Sequence, residues 1–167
     1  KEEENVSEEM SLEPLTDYSK FKADCEKVLF TYKSKEFETI VVRPATVCGY
    51  SKRQRLDVIV NILTNLAYHK REITVFGGNQ ARPNIHLDDI TDVYLHFIDH
   101  SEHTGIFNAG FENITILDIA NLITKYIPVE IIVTESNDPR SYRINSDKLL
   151  ATGFKPKKTV EHAVQEI

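Results

Sequence analysis

The stretch Asp17–Leu29, DYSKFKADCEKVL, sets a tyrosine four residues ahead of a lysine. On an α-helix that spacing is a little over one turn, so Tyr18 and Lys22 share a face while Lys20 points elsewhere. A free phenol ionises near pH ~10, too high for a base at neutral pH. An ammonium one turn away favours the phenolate and lowers that value. Such a pair can take a proton from a hydroxyl while hydride leaves the adjoining carbon. Spacing alone leaves an ordinary charged helix open as well. With seven tyrosines and thirteen lysines in the chain, chance supplies roughly half of one such match.

Other residues could also do chemistry. Arg82, in QARPNIHLDD, carries a guanidinium that can grip two neighbouring phosphoryl groups bidentately; a surface ion pair is the plainer alternative. His96 and His100 are four apart, a possible metal pair, with His103 close behind. No third ligand is evident from spacing, so no metal site is expected, and Asp92 and Asp99 read as solvated helix charges. Asp88-Asp89 suit the positive end of a helix dipole. Cysteine occurs only at Cys25 and Cys48, without CxxC, which disfavours a disulfide framework or zinc knuckle and fits a reducing cytoplasm.

The elements that must position these residues alternate along the chain, which argues for an α/β protein. Pro14 can open a helix running to about Tyr32. Thr39–Val42 is a β-branched strand stopped by Pro44. LDVIVNILTNLAYHK has helical periodicity, and Ile73–Phe76 is a strand closed by Gly77-Gly78-Asn79. Asp88–Asp99 reads as helix and Gly105–Ala109 as strand. Thr115 or Asn113 caps a helix to Tyr126. VEIIVT is a strand, Asp147–Ala151 a short helix, and Thr159 caps a last helix. His162 rather than Glu or Gln stands three residues on, so no full capping box is expected. Residues 1–13 hold six acids and one lysine, a net charge of −5 out of −6, and read as a solvated arm. The remainder is nearly neutral without a basic stripe, so no nucleic-acid partner is expected. No apolar run reaches the roughly 20 residues that span a bilayer, so no membrane association is expected either. The six glycines form no G-x-G-x-x-G or G-x-x-G-x-x-G loop.

The ordered series Tyr18-x-x-x-Lys22, FETIVVRPATVCG, ITVFGGNQARPNIHLDDITDVYLHFI, GIFNAG and DPRSYRINSDKLLATGFKPKKTVEHAV resembles the extended short-chain dehydrogenase/reductase family. It is most similar to that family's NAD-dependent nucleotide-sugar epimerases and dehydratases, from about Val6 onward. The resemblance implies the carboxy-terminal part of a Rossmann-like parallel sheet plus the small α/β substrate domain. Residues 1–50 would end the NAD-binding domain, whose amino-terminal half is absent. Residues 51–167 would be mainly substrate domain, with 88–110 returning to the Rossmann sheet.

The resemblance also implies roles. Tyr18 would be the acid/base, and Lys22 would hold the nicotinamide ribose and depress the phenol. Pro44 and Val47 would face the carboxamide through backbone. Thr46 stands where many members place an asparagine on the sugar diphosphate. Thr74, Val75 and Phe76 match the strand lining the nucleotide base, though read plainly they are a hairpin strand. Arg82 matches the diphosphate arginine, and Asp138 and Arg140 a second clamp on ribose and phosphate. The implied cofactor is NAD, with NADP an alternative. The implied partners are a nucleotide-diphosphate sugar and, for the complete protein, a second copy through the tyrosine-bearing helix, where Ala23, Val28 and Leu29 could face the partner. Epimerase, 4,6-dehydratase or reductase, and a non-catalytic sugar-nucleotide-binding remnant all remain open at this point. A chain without the glycine-rich unit is not expected to bind NAD tightly or to turn over by itself.

Overall fold

The β-branched run Ile40-Val41-Val42 favours extended backbone, and the computed structural model shows it as a strand. That model describes residues 2–136 and 141–167, with side chains from residue 5 onward. Strand β2 here (Ile40–Pro44) pairs in parallel with Gly105–Ala109, in register from Ile40 opposite Gly105 to Pro44 opposite Ala109. Pro44 lacks an amide hydrogen and ends the strand; the next amide, Ala45, donates to the Ala109 carbonyl at 2.8 Å.

In chain order the elements are β1 (Glu2–Val6), α1 (Asp17–Thr31), β2, β3 (Thr46–Cys48), α2 (Ile59–Lys70), β4 (Glu72–Phe76), β5 (Ala81–His86) and α3 (Leu87–Asp99). Then follow β6 (Gly105–Ala109), β7 (Glu112–Thr115), α4 (Ile116–Thr124), β8 (Glu130–Thr134), β9 (Ser141–Ile144), α5 (Asp147–Leu150) and α6 (Val160–Glu166). Parallel pairs β1–β9, β2–β6, β3–β5 and β4–β8 dominate, with β7 antiparallel to β5. This mixed α/β architecture with parallel strands is the expected class.

Two apolar clusters hold it. One gathers α2, β4, α4 and α6 through Val60, Leu63, Ile73, Val75, Ile119, Ile123, Val160 and Ala163, all at most 3% exposed. The other gathers β5, α3, β6 and α5 through Ile85, Val93, Phe97, Phe107, Leu149 and Phe154. Gly110 sits where the chain packs tightly against neighbouring side chains: a Cβ there would lie 2.5 Å from the Ile144 side chain and 2.6 Å from the Ala45 Cβ.

Local departures from expectation have local causes. Residues 1–13 are not a free arm. β1 ladders onto β9, and the Glu8 carboxylate accepts the Asn108 amide at 2.7 Å. Backbone pairing outweighs the charge of this segment, because a ladder satisfies amides that water otherwise must. Helix α1 begins at Asp17 rather than Pro14, because Thr16 and Ser19 cap it reciprocally. β4 is not a hairpin strand: it pairs with β8, and Gly77 and Gly78, at φ 80° and 103°, turn the chain away toward β5. Thr115, not Asn113, caps α4, which ends at Thr124 rather than Tyr126; Asn113 instead bonds both backbone groups of Ile144. The box on α6 is complete after all, since His162 Nδ1 accepts the Thr159 amide at 3.0 Å, as a glutamate oxygen would.

Candidate active site

Helix α1 places Tyr18 and Lys22 one turn apart on a common face, and both line a groove of about 710 Å³. Its far wall is Val6 from β1 and Ser141 and Tyr142 from β9, and its floor includes Glu26 and Arg43. Tyr18 is 75% exposed, so its phenol opens to solvent and to any ligand in the groove. No residue of α1 is buried. The helix is held instead by a bidentate pair, in which Arg43 Nε and Nη2 donate to the Glu26 carboxylate at 2.9 and 2.6 Å. These side chains are 19% and 18% exposed, screened enough for the pair to fix the helix against the end of β2.

A second hollow, about 580 Å³, is formed by Arg53, Gln54, Arg55, Leu56 and Asp57 between β3 and α2. Arg55 bonds Asp57 at 3.0 and 2.8 Å. That hydrogen bond raises the Arg55 pKa first, and the Asp57 charge adds to it. Sequence reading missed both Arg55 and the Arg43–Glu26 pair. The run KRQR was the available signal for the first; nothing local signalled the second.

The other expected positions fall at varied places. Pro44 is exposed at the end of β2, while Thr46 and Val47 pair with Asn84 and Ile85 in β3–β5 and are half-buried. Arg82 lies half-buried on β5, one residue from Ala81, whose amide donates to the Ser141 hydroxyl of the groove wall at 3.1 Å. Thr74, Val75 and Phe76 occupy β4 and do not line the groove. Val75 is wholly buried in the first cluster, so its side chain cannot touch a base; Phe76 is exposed. Asp138 and Arg140 lie outside the described residues.

His86, Asp88 and Glu166 bring ligand atoms within 4.8 Å of one another. An ammonium already fills that role. Lys158 Nζ donates to Glu166 at 2.7 Å and lies 3.8 Å from Asp88, while His86 Nε2 meets Glu166 at 3.0 Å and Nδ1 accepts the Asp88 amide. Cys48 is no nucleophile: burial pushes its thiol up to about 12. Among the described residues no helix is long and apolar enough to cross a membrane.

Comparison with known proteins gives this geometry a family. Residues 1–110 match the model of the NAD dependent epimerase/dehydratase family. The chain is 32% identical over 126 residues to an uncharacterized UDP-glucose epimerase, YtcB, of Bacillus subtilis, covering 71% of this chain and 38% of that protein. It is 21% identical over 179 positions to the dTDP-D-glucose 4,6-dehydratase of Mus musculus, covering 98% of this chain and 50% of that one. The chain thus spans half or less of the length of these relatives. In fold it matches the UDP-glucuronic acid 4-epimerase of Bacillus cereus, solved in complex with NAD, at TM-score 0.82 and 22% identity over 97% of this chain and 52% of that one. With the family model matched over most of its length, the chain belongs to the NAD dependent epimerase/dehydratase family.

Proposed function

We propose that this chain is the catalytic and substrate-binding part of an NAD-dependent nucleotide-sugar epimerase, with Tyr18 as acid/base. The observation that carries the reading is the shared face of Tyr18 and Lys22 along an open groove, in a chain of this family. Two further features support the substrate class. Arg82 stands on the strand tied to the groove wall, and Arg53 and Arg55 line the second hollow between β3 and α2; guanidinium groups suit a diphosphate.

A phenol and an ammonium on one face fit the ribose and nicotinamide end of the cofactor, whereas no glycine-rich phosphate cradle occurs in these 167 residues. Bound NAD supplies the hydride acceptor and donor. Tyr18 Oη takes the proton of the sugar hydroxyl as the carbon is oxidised to a ketone, then returns it when the opposite face is reduced. Atoms and electrons balance, and the net change is inversion at one carbon. Lys22, on the same face of α1, would hold the nicotinamide ribose beside Tyr18. The Arg43–Glu26 pair positions α1 so that both groups face the groove.

The residues 1–50, 51–167 and 88–110 are assigned on this reading to cofactor domain, substrate domain and the segment returning to the cofactor sheet, in keeping with the β2–β6 pairing. Pro44 and Val47 would flank the carboxamide by backbone, and Thr46 the sugar diphosphate. On β4, Thr74 and Phe76 would reach the base by side chain and Val75 by backbone only. Asp138 and Arg140 keep their assigned clamp. A pairing of two copies would use α1, whose Phe21 and Val28 are exposed.

In the intact protein, Tyr18→Phe should lower turnover by about a thousandfold, leaving sugar-nucleotide affinity within a factor of two or so. Turnover equal to wild type would reject the role. A 4,6-dehydratase is the second reading, favoured by the match to the mouse enzyme along nearly the whole chain. Product analysis separates the two: an epimer retains mass, whereas dehydration loses one water. A calorimetric titration of the isolated 167-residue chain with NAD should show no tight binding.

A further inference from the structure

Away from the groove, the C-terminal end of α3 gathers three imidazoles. His96 and His100 are one turn apart, with ring centroids at 4.6 Å. At His100 the helix ends, and the His103 amide donates back to the His100 carbonyl at 3.2 Å. That turn returns the His103 ring to 6.2 Å from His96 and 6.4 Å from His100. Glu102 adds a carboxylate, 3.4 Å from His100 Nδ1 and 3.8 Å from His103 Nε2. Sequence spacing supplied the pair; the tight turn supplies the third ring.

We propose that His96, His100 and His103, with Glu102, form a binding site for a divalent transition-metal ion of the zinc class. Two imidazoles sharing one zinc at Zn–N bonds of about 2.0–2.1 Å and tetrahedral angles have centroids roughly 5 Å apart. The observed separations bracket that figure, and turning the exposed His100 ring and the half-buried His103 ring would bring the ligand atoms together. His96 is already oriented. The Thr152 hydroxyl donates to the Leu149 carbonyl at 2.7 Å, so at 2.8 Å it accepts from His96 Nε2–H, which leaves the lone pair on Nδ1. Fixing one ring nitrogen by an oxygen acceptor is how metal-binding histidines are commonly held. The ion would fasten the end of α3 to the turn entering β6. Imidazole ligands suit zinc, copper and nickel better than magnesium or calcium.

The test is isothermal titration of the EDTA-treated intact protein with ZnCl2 at about pH 7.5, repeated near pH 5.5 where protons compete for imidazole. One ion per chain should bind at the higher pH and much more weakly at the lower. His100→Ala and His103→Ala should each weaken binding at least about tenfold, as should Thr152→Val, which removes the acceptor orienting His96. His69→Ala, on another helix, should change nothing, and far-UV circular dichroism should show all four variants folded. Absence of zinc binding, or wild-type affinity in both His100→Ala and His103→Ala, overturns the proposal. So does half-stoichiometric binding with doubled mass in light scattering, which would mean an ion bridging two molecules. None of these readouts depends on Tyr18 or on turnover.

Discussion

At the scale of single residues, the molecule relies on one ion pair where a core contact would be usual. α1 buries no side chain, so Arg43 and Glu26 carry the attachment that apolar packing supplies elsewhere. Removing one partner of a largely screened pair strands the other charge, so Arg43→Met should cost about 3 kcal/mol in urea denaturation. The double variant with Glu26→Leu should recover much of that, and equal losses in single and double variants would show that charge is not the issue. Turnover in the intact protein should fall along with it, since the helix carries Tyr18. Such a pair was not legible in the sequence: its members are 17 residues apart and in different elements. The Tyr18–Lys22 adjacency was legible, because a helix converts a spacing of four into a shared face without help from tertiary structure. Val75 shows the limit of motif matching, since a matched strand still alternates its side chains between core and surface.

Individual helices and strands were readable wherever the signal was local. A β-branched run marked β2, apolar periodicity marked α2, and the turn Gly77-Gly78-Asn79 marked the end of β4. β1 escaped because EEENV carries charge where strands normally carry β-branched residues, and its partner lies at the opposite end of the chain. Pairing partners in parallel sheets are set by crossovers, not by neighbouring residues, which is why β4 looked like half of a hairpin. The last helix makes a sharp test of capping chemistry. His162→Ala should lower stability by about 0.5–1 kcal/mol, whereas His162→Gln, which can also accept the Thr159 amide, should stay close to wild type in thermal melts. A loss in the glutamine variant matching that in alanine would mean that the imidazole contributes by packing instead. In the first core cluster, Ile119→Ala removes a side chain with no exposure and should cost about 2–5 kcal/mol by chemical denaturation.

For the molecule as a whole, the C-terminal helix is docked by charge as well as by Val160, Ala163 and Val164. The hydrogen bond from Lys158 holds the Glu166 carboxyl below its usual 4.5. A carboxyl depressed on folding stabilises fully above its unfolded value and loses that contribution as pH falls through the folded one. Hydrogen exchange of α6 amides should therefore quicken below about pH 4.5 in wild type, with no such step in Glu166→Gln. A flat profile for the wild type would detach α6 docking from this carboxyl. The ladder between β1 and β9 reaches further. One wall of the groove comes from residue 6 and from residues 141 and 142, so the groove has both its walls only once β1 has met β9. Closing so long a loop adds little free-energy cost but slows folding, which makes this the late step. During synthesis the helix bearing Tyr18 would leave the ribosome before β9 does, with half its pocket missing. The phenol and ammonium would have no wall opposite them until the chain had been translated past β9.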